Sequence, residues 1–328
     1  LNDGVIKNRK GVNLPDSKIF LPVLTEKDER DLAFVVEQGV DYVGLSFVGS
    51  AEDIRGARKK MRSFAGEGKE VPYIVAKIER KEAIKNLEEI IEETDAVMVA
   101  RGDLGIEMPE SEVAVLQKEI IAESLKAVRP VIVATQMMKS MTENPRPTRA
   151  EVSDVTNAVV DHADAVMLSE ESAMGKYPVE TVAMMAEIIT KTEESPFDDV
   201  YQSLDTNLHN DYAVMVRSVY ELARSFEAEA VLLLSVSGFT ARLMSHFRPQ
   251  AKLFTATTTR SSWNRLALVW GVDAFLFEGN NELDTLIDRL ATDLKRSGQL
   301  HQGQKIVGCF VRHGESDTLQ LVGVKEVV

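Results

Sequence analysis

Four short polar strings hold the residues whose types and spacing could do chemistry, and each stands at the end of an apolar run. They are AKIE at 76–79, ARGDLG at 100–105, ATQM at 134–137 and MLSEESA at 167–173. In barrels built from repeated strand–helix units, active sites lie at the C-terminal ends of the strands. The sequence therefore predicts that four successive strands bring a Lys, a Glu, an Asp, a Thr and a Ser to one rim.

Lys77 and Glu79 lie two residues apart on one predicted strand. Side chains along a strand alternate between its two faces, so both are expected to point the same way. If they point into the lumen of a barrel, a cation and a carboxylate share one pocket. A structural ion pair within a barrel layer is the alternative interpretation.

Asp103 follows the next apolar run, and Gly102 before it lets the backbone approach a ligand closely. The residues after it are expected to open a short helical turn whose free N–H groups can hold a carboxylate or a phosphate. Glu79 and Asp103 form a sparse oxygen site that suits Mg²⁺ or Mn²⁺, while the strings contain no His or Cys for zinc. Thr135 and Ser169 could bind a substrate oxygen or a water, or could simply cap their strands.

The elements that must position these strings alternate between β-rich runs and segments of helical periodicity. The runs lie at 42–47, 73–78, 96–99, 131–134 and 165–168, and helical patterns include 82–93 and 111–127. Strands that alternate with helices predict a parallel sheet, and runs that are apolar throughout are typical of parallel strands covered by helices. We predict an α/β fold in which residues 15–195 form a partial TIM (β/α)8 barrel.

A polar, turn-rich segment at 195–210 predicts a domain boundary, so residues 196–328 are expected to form a second α/β domain. Its predicted strands are 230–234, 252–256, 273–277, 305–311 and 319–327. Its predicted helices are 212–226, 240–247, 262–270 and 282–297. This order predicts a doubly wound sheet with a final edge strand.

The composition limits the class of protein. The chain has 328 residues and a formal net charge of −14, which argues against binding to nucleic acid or to anionic membranes. A single cysteine, Cys309, excludes a disulfide within the chain and fits a reducing, cytoplasmic location. No apolar stretch approaches the roughly 18 residues that a membrane span needs.

Together the strings resemble those of the pyruvate kinases, and the resemblance covers nearly the whole chain. The matching strings are NRKGVNLP (8–15), LTEKDERDL (24–32), SFV (46–48), AKIE (76–79), MVARGDLG (98–105), PVIVATQM (130–137), NPRPTRAEVSDVTNAV (144–159), VMLSEESA (166–173), YPVE (177–180), SGFTAR (237–242), FRP (247–249) and WGV (270–272). The resemblance implies transfer of phosphate from phosphoenolpyruvate to ADP, which gives pyruvate and ATP.

The resemblance also implies a role for each matching residue. Lys77 corresponds to the lysine beside the transferring phosphoryl group and the enolate, and Glu79 and Asp103 correspond to the divalent-metal ligands. Arg101, Gly102 and Asp103 form the turn whose amides receive the substrate carboxylate. Thr135 corresponds to the residue near the enolate carbon that is protonated. The remaining implied positions are the pocket-lining residues Ser46, Phe47 and Ser169, and Lys10, which approaches the nucleotide phosphates.

The turn at 235–240, between a predicted strand and a predicted helix, is a candidate phosphate site. It contains Ser235, Ser237, Gly238, Phe239 and Thr240. Hydroxyls, a glycine and a helix N-terminus together favour a phosphate, and in pyruvate kinases the corresponding turn often holds a phosphorylated effector. A plain capped turn is the alternative, and the unusual string RHGESDTLQLVGV (312–324) leaves the effector unidentified.

Three substitutions depart from the family pattern. Glu170 stands where a glycine is usual, Ser172 replaces a threonine, and His162 replaces a glycine. A carboxylate at position 170 would repel an anionic substrate unless it points away from it. The change at position 170 therefore counts in favour of a non-catalytic role for the partial barrel, and the effect of Glu170 and Ser172 on activity stays open.

The family's barrel has eight strand–helix units with a lid domain inserted after the third strand. We expect residues 1–14 to be the return strand of that lid and the chain to hold units four to eight. The ligands of the K⁺ that the family uses would then lie in the absent part, and this chain alone is expected to be inactive. Three interpretations account for the missing units. The chain is a fragment of a longer protein, the first half is a separate chain, or this is a natural open form that has lost catalysis.

Two other functions stay open at this point. A metal-dependent pyruvate aldolase also binds enolpyruvate through Glu, Asp and a divalent metal. A non-catalytic metabolite-sensing module would use the second domain to bind an effector and the partial barrel as a scaffold. The resemblance further implies a homotetramer for the full-length protein.

Overall fold

The computed structural model describes residues 23–198, 211–279, 283–313 and 318–327. The predicted lid strand at 1–14 and Lys10 lie outside the described residues. So does most of the predicted boundary at 195–210, so the position of that boundary stays a prediction.

Five parallel strands form the first sheet in the order of the chain. They are β1 (Tyr42–Leu45), β2 (Tyr73–Ile78), β3 (Ala96–Ala100), β4 (Val131–Ala134) and β5 (Ala165–Met167). Each is paired with the next in parallel register, so the five C-terminal ends lie along one edge. This is the arrangement in which successive strand–helix units of a barrel place their strand-end residues together.

Helices connect these strands and bury apolar side chains against them. They are α1 (Glu26–Gln38), α2 (Ala51–Ala65), α3 (Lys81–Lys85), α4 (Leu87–Glu93), α5 (Arg101–Glu107), α6 (Glu110–Lys126), α7 (Arg149–Val160), α8 (Glu170–Ala173) and α9 (Pro178–Glu193), with a 3-10 helix at Lys139–Thr142. The core between helices and sheet is aliphatic and includes the fully buried Ile54, Ile74, Ile90 and Ile120.

The helix starts follow from local sequence. Thr25 and Thr148 each begin a helix with a capping box. The threonine hydroxyl accepts from the backbone N–H three residues on, and the carboxylate of that residue accepts from the threonine's own backbone N–H. Gly39 ends α1 with φ +66°, a left-handed conformation that glycine adopts without penalty. These capping predictions are confirmed.

The second sheet has the order β10-β9-β6-β7-β8, with β10 antiparallel to β9 and the other neighbours parallel. The strands are β6 (Ala230–Leu234), β7 (Lys252–Thr257), β8 (Val272–Leu276), β9 (Lys305–His313) and β10 (Thr318–Glu326). The helices are α10 (Asp211–Ser225), α11 (Phe239–His246), α12 (Arg260–Leu266) and α13 (Leu283–Arg296). The strand order confirms the doubly wound sheet with a final edge strand.

Two predicted helices differ from the structure. The helical pattern at 82–93 is interrupted at Asn86, whose ψ of +23° separates α3 from α4. The predicted helix at 262–270 ends early, because Leu268 and Val269 continue in tight turns with bonds to residues three back.

The second domain packs against the N-terminal ends of the first sheet's strands. On one side, the Asn264 side chain donates to the Asp41 carboxylate at 3.0 Å and the Tyr42 hydroxyl donates to the Arg265 carbonyl at 2.9 Å. The Arg265 guanidinium also stacks 3.8 Å from the centre of the Tyr73 ring. The strand ends that carry the polar strings are at the opposite edge of the same sheet.

A buried charge pair holds the other side of this contact. Arg248 lies 3.7 Å from Asp164, both side chains are 7% exposed, and the guanidinium stacks on Trp270 at 4.5 Å. Arg248 also donates to the backbone oxygen of His162. His162 has a left-handed φ of +64°, a conformation that favours glycine, and its ring contacts the Asp198 carbonyl at 3.0 Å.

Candidate functional site

Lys77 and Glu79, at the end of β2, lie on the same side of the strand as predicted. The Lys77 ammonium is 2.5 Å from one Glu79 oxygen and donates to the Ser46 hydroxyl at 2.9 Å. The other Glu79 oxygen accepts from the Phe47 N–H at 2.8 Å. These contacts join the residues that follow β1 to the residues at the end of β2.

The two members of this ion pair differ in their access to solvent. The Glu79 side chain is 2% exposed and that of Lys77 is 26% exposed. A buried carboxylate needs partners, and Glu79 has both a cation and a backbone N–H. The Lys77 ammonium lies nearer the surface, so an anion could reach it.

Gly102 and Asp103 lie within the first turn of α5, which begins directly after β3. The helix thus starts slightly earlier than the predicted helical turn. The Gly102 N–H donates to the Thr135 hydroxyl at 2.7 Å, and a Cβ on Gly102 would lie 3.2 Å from that hydroxyl. The Asp103 carboxylate is partly exposed and makes no hydrogen bond or ion pair with the described residues.

Backbone strain marks the rim at two strand ends. Thr135 and Gln136, after β4, have φ of +69° and +56°, and Phe47, after β1, has φ of +56°. Left-handed conformations at residues other than glycine cost about 1–3 kcal/mol each and concentrate at functional sites. Such conformations persist only where surrounding contacts impose them, so the neighbouring residues must hold these two strand ends in place.

The end of β5 contains a carboxylate that our sequence analysis did not single out. Glu171 is 2% exposed, and its two oxygens accept from the Ser169 N–H at 2.9 Å and the Met138 N–H at 3.2 Å. The carboxylate joins the rim loops that follow β4 and β5. The sequence feature that could have identified Glu171 as a rim residue is its position two residues after Ser169, within the string at 167–173. Glu170 is exposed in the first turn of α8, and Ser172 is also exposed.

Glu79 and Asp103 are the side chains of the rim that could hold a divalent cation. The β2–β3 register places Ile78 opposite Val99, so the two carboxylates follow adjacent strand ends. Within the described ranges, no group of three or more His, Cys, Asp or Glu residues is arranged to hold a metal ion. Two carboxylates suffice for Mg²⁺ when water and substrate oxygens complete the octahedron.

The turn at 235–240 joins β6 to α11, as predicted. Gly238 has φ of +78° and precedes the helix, and the Ser237 hydroxyl accepts from the Phe239 N–H at 3.4 Å. The Ser235 side chain is 3% exposed and its hydroxyl has no hydrogen-bond partner among the described residues. Thr240 is also buried.

This turn lies where the second sheet changes direction. β6 has β7 on one side and β9 on the other, and ligands in doubly wound sheets bind at the C-terminal ends of strands flanking such a switch point. A free buried hydroxyl, a helix N-terminus and this position together favour a ligand over a plain capped turn.

Comparisons with known proteins agree with this architecture and rim. The family model described as pyruvate kinase, barrel domain, matches residues 1–182, and the one described as pyruvate kinase, alpha/beta domain, matches residues 213–322. The chain belongs to the pyruvate kinase family. The predicted resemblance is thereby confirmed, and the aldolase alternative gains no support.

Relatives from bacteria and yeast are similar over almost the whole chain. A pyruvate kinase of Geobacillus stearothermophilus is 41% identical over 327 residues, which are 99% of this chain and 55% of the relative. Pyruvate kinase 1 of Candida glabrata is 42% identical over 337 residues, which are 98% of this chain and 66% of the relative. The chain thus spans about half the length of the bacterial relative that it matches.

A crystal structure of a pyruvate kinase from Cryptosporidium parvum has the same fold. It is 29% identical in sequence, its TM-score is 0.88, and the match covers 96% of this chain and 65% of that one. The predicted α/β class, a partial barrel followed by a doubly wound domain, is confirmed. Among the described residues, no helix has the length and apolar character that crossing a bilayer requires.

Proposed function

We propose that the rim takes part in phosphoryl transfer from phosphoenolpyruvate to ADP, which gives pyruvate and ATP. The observation that carries the proposal is the joining of Lys77, Glu79, Gly102 and Thr135 at adjacent strand ends of one parallel sheet. Phosphoryl transfer depends chiefly on positioning and on neutralising charge, and these groups supply both.

Lys77 is the proposed electrostatic catalyst. Its ammonium would face the transferring phosphoryl group and the enolate oxygen, where negative charge develops. Glu79 and Ser46 hold that ammonium in place, with contacts of 2.5 and 2.9 Å. A bound substrate anion would replace one of these contacts of the Lys77 ammonium, on the side of the ammonium that is exposed.

The turn formed by Arg101, Gly102 and Asp103 is the proposed site of the substrate carboxylate. In the first turn of a helix, N–H groups have no acceptor within the helix, so an anion is favoured there. The Gly102 N–H donates to the Thr135 hydroxyl at 2.7 Å, and a substrate carboxylate bound at this turn would compete for that N–H. Thr135 would then face the carbon of the enolate that receives a proton.

Mg²⁺ or Mn²⁺ fits the pair formed by Glu79 and Asp103. Asp103 has no partner within the described part of the chain, and each Glu79 oxygen keeps a lone pair free. The bound cation would supply charge neutralisation at the phosphoryl and enolate oxygens. Glu79 and Asp103 would in turn fix where those oxygens lie.

Further residues complete the proposal. Ser46, Phe47 and Ser169 would line the substrate pocket, since all three follow strand ends of the same sheet. Lys10, outside the described residues, would approach the phosphates of ADP. A monovalent cation such as K⁺ is expected from the family.

The turn of Ser235, Ser237, Gly238, Phe239 and Thr240 is the proposed effector site. The free Ser235 hydroxyl and the N-terminus of α11 support binding of a phosphate group. Direct titration with a sugar phosphate and with a nucleotide distinguishes the two classes of effector. The full-length protein is expected to be a homotetramer.

We also propose that the 328 residues alone have no measurable pyruvate kinase activity. Among the described strands, β1 and β5 are the outer members of an open sheet rather than neighbours in a closed barrel. An open sheet leaves backbone groups of both outer strands unpaired. Robust ATP formation by the purified chain would refute this part of the proposal.

Calorimetric titration with phosphoenolpyruvate tests the site itself. The chain should bind phosphoenolpyruvate in the presence of Mg²⁺, and affinity should fall at least about tenfold without the metal. Lys77→Met should weaken binding by a similar factor, whereas Lys81→Met, on α3 beyond the strand end, should not. Metal-independent binding unaffected by Lys77→Met would favour the metabolite-sensing alternative.

A further inference from the structure

The guanidinium of Arg101 is bonded within the protein. One nitrogen donates to both oxygens of Asp154, at 2.8 and 2.7 Å, and lies 3.3 Å from the Gln117 side-chain oxygen. The other donates to the Thr135 carbonyl at 2.7 Å and touches the Met137 sulfur. The side chain is only 10% exposed, so it reaches across the ends of β3 and β4 beneath the rim.

The group that Arg101 holds is the strained turn after β4. Thr135 and Gln136 are both left-handed, and such conformations persist only when surrounding contacts impose them. Arg101 binds the Thr135 carbonyl, while the Thr135 hydroxyl accepts from the Gly102 N–H. Two groups at the end of β3, the Arg101 side chain and the Gly102 N–H, therefore hold Thr135 at the end of β4 through its carbonyl and its hydroxyl.

Asp154, on α7, sets the direction of the guanidinium. Its carboxylate bonds one guanidinium nitrogen and leaves the other directed at the Thr135 carbonyl. Because a guanidinium is planar and rigid, fixing one nitrogen fixes the other. Loss of the Asp154 charge would free Arg101 to turn and would remove a constraint on Thr135.

We infer that Asp154 is a positioning residue that acts through Arg101 to hold the Thr135 hydroxyl and the Gly102 N–H in place for the enolate. The inference rests on the proposed function for its chemical consequence. Its structural part, the link from Asp154 to the Gly102 amide, stands on the contacts alone. The two parts can be measured separately.

Hydrogen exchange of the Gly102 amide in the full 328-residue chain tests the structural part. Asp154→Asn should accelerate that exchange at least about tenfold, because the hydroxyl that accepts from this amide is no longer fixed. Asp154→Glu, which keeps the charge, should restore part of the protection. Asp161→Asn is the matched control, since Asp161 caps the same helix and pairs with Lys118 at 2.5 Å.

An unchanged Gly102 exchange rate in Asp154→Asn would overturn the inference. If that variant does not fold, Arg101→Lys provides the same test, because lysine keeps the charge but cannot reach both Asp154 and Thr135 with a rigid fork. Faster exchange in Asp161→Asn to the same extent would also overturn it, since the effect would then be general loosening of α7.

Deuterium uptake into the methyl group of pyruvate, with Mg²⁺ in heavy water, tests the chemical part. Removal of a proton from the methyl carbon gives the enolate, and delivery of a deuteron from solvent returns pyruvate without a co-reactant. Asp154→Asn should slow this uptake about tenfold to a hundredfold, a clearly larger loss than the one in affinity for phosphoenolpyruvate, because the Thr135 hydroxyl acts on the enolate and only the Gly102 N–H acts on the carboxylate. An equal loss in both quantities would indicate a merely structural role and refute positioning.

The outcomes separate this inference from the function on which it rests. If the unmodified chain neither binds phosphoenolpyruvate nor exchanges the methyl protons, the proposed function fails, and amide exchange alone then decides the link from Asp154 to Gly102. If the unmodified chain exchanges and Asp154→Asn exchanges equally fast, the positioning role fails and the proposed function stands.

Discussion

Asp164 and Arg248 form a buried ion pair between the two domains, and its removal offers a quantitative test of how they dock. The charges are 3.7 Å apart and both side chains are 7% exposed. With an effective dielectric constant of about 20, attraction at that distance is worth about 4–5 kcal/mol. Burial raises the pKa of Asp164 and lowers that of Arg248, so each charge depends on the other for compensation.

Each partner also makes bonds that the other does not share. Asp164 accepts from the backbone N–H groups of Val131 at 2.9 Å and Trp270 at 3.2 Å. Arg248 stacks on the Trp270 ring, a contact worth about 2 kcal/mol when desolvated. Asp164→Asn should lower the free energy of unfolding by about 3–5 kcal/mol, because it leaves the buried Arg248 guanidinium without its carboxylate. Arg248→Met should lower it further, because the stacking on Trp270 is lost as well.

The double variant distinguishes attraction from these separate bonds. Asp164→Asn combined with Arg248→Met should cost less than the sum of the single changes by about 2–4 kcal/mol, because the second change removes a charge that has already lost its partner. The exposed pair of Arg260 and Glu278, at 2.9 Å, is the control and should show a coupling below about 1 kcal/mol.

Urea unfolding followed by the fluorescence of Trp270 measures these free energies. The other tryptophan, Trp263, is 39% exposed and is replaced by Phe so that the signal reports only on the domain contact. Far-ultraviolet circular dichroism in the same samples shows whether the two domains unfold together. Additive losses within about 0.5 kcal/mol would refute the reasoning, since they would show that the charges do not stabilise each other.

Three further predictions concern the rim and the domain contact. Glu171→Gln should lower the free energy of unfolding by about 1–3 kcal/mol, because an amide has one oxygen for two backbone N–H donors; an unchanged urea midpoint would contradict this. Burial lowers the pKa of His246 from 6.5 to about 4, so the folded state favours the neutral imidazole. The free energy of unfolding should therefore be unaffected by this group above pH 6.5 and should fall by about 3 kcal/mol as the pH falls from 6.5 to 4. The stability difference between the chain and His246→Gln, measured in urea from pH 7 to 4, should change by that amount, whereas exposed His301→Gln should follow the parent chain. Gly102→Ala should weaken Mg²⁺-dependent binding of phosphoenolpyruvate about tenfold in calorimetry, since the new Cβ would lie 3.2 Å from a threonine hydroxyl, while Gly56→Ala, with open space around it, should leave binding intact.

The features that could be predicted from the sequence depend on local patterns. Apolar runs located all ten strands of the described chain to within a few residues. Residue pairs three apart located the caps of α1 and α7. The period of two along a strand placed Lys77 and Glu79 together before any contact was known. These predictions succeed because each depends on neighbours in the sequence.

The features that could not be predicted depend on residues far apart in the chain. Glu171 is a buried acceptor only because the loop after β4 presents a second N–H to it, 33 residues away. The Arg101 side chain spans 53 residues to reach Asp154, although the resemblance had suggested a role for its backbone amide. His162 tolerates a left-handed turn because Arg248 and Asp198 fix its backbone and ring. No local pattern contains this information.

The two domains meet at the edge of the first sheet opposite to the candidate active site, and this arrangement restricts how they can influence each other. Asp164 lies just before β5 and Ser169 just after it, so one short strand joins the domain contact to the rim. Five residues of extended chain span about 16 Å, too far for direct contact between the two groups. β5 is hydrogen-bonded to β4 along its length, and the Ser169 N–H that follows it donates to the Glu171 carboxylate at 2.9 Å, so a continuous set of bonds joins the two edges of the sheet. The domain contact and the rim are therefore linked through the backbone of β5 and its bonds rather than by direct contact between side chains.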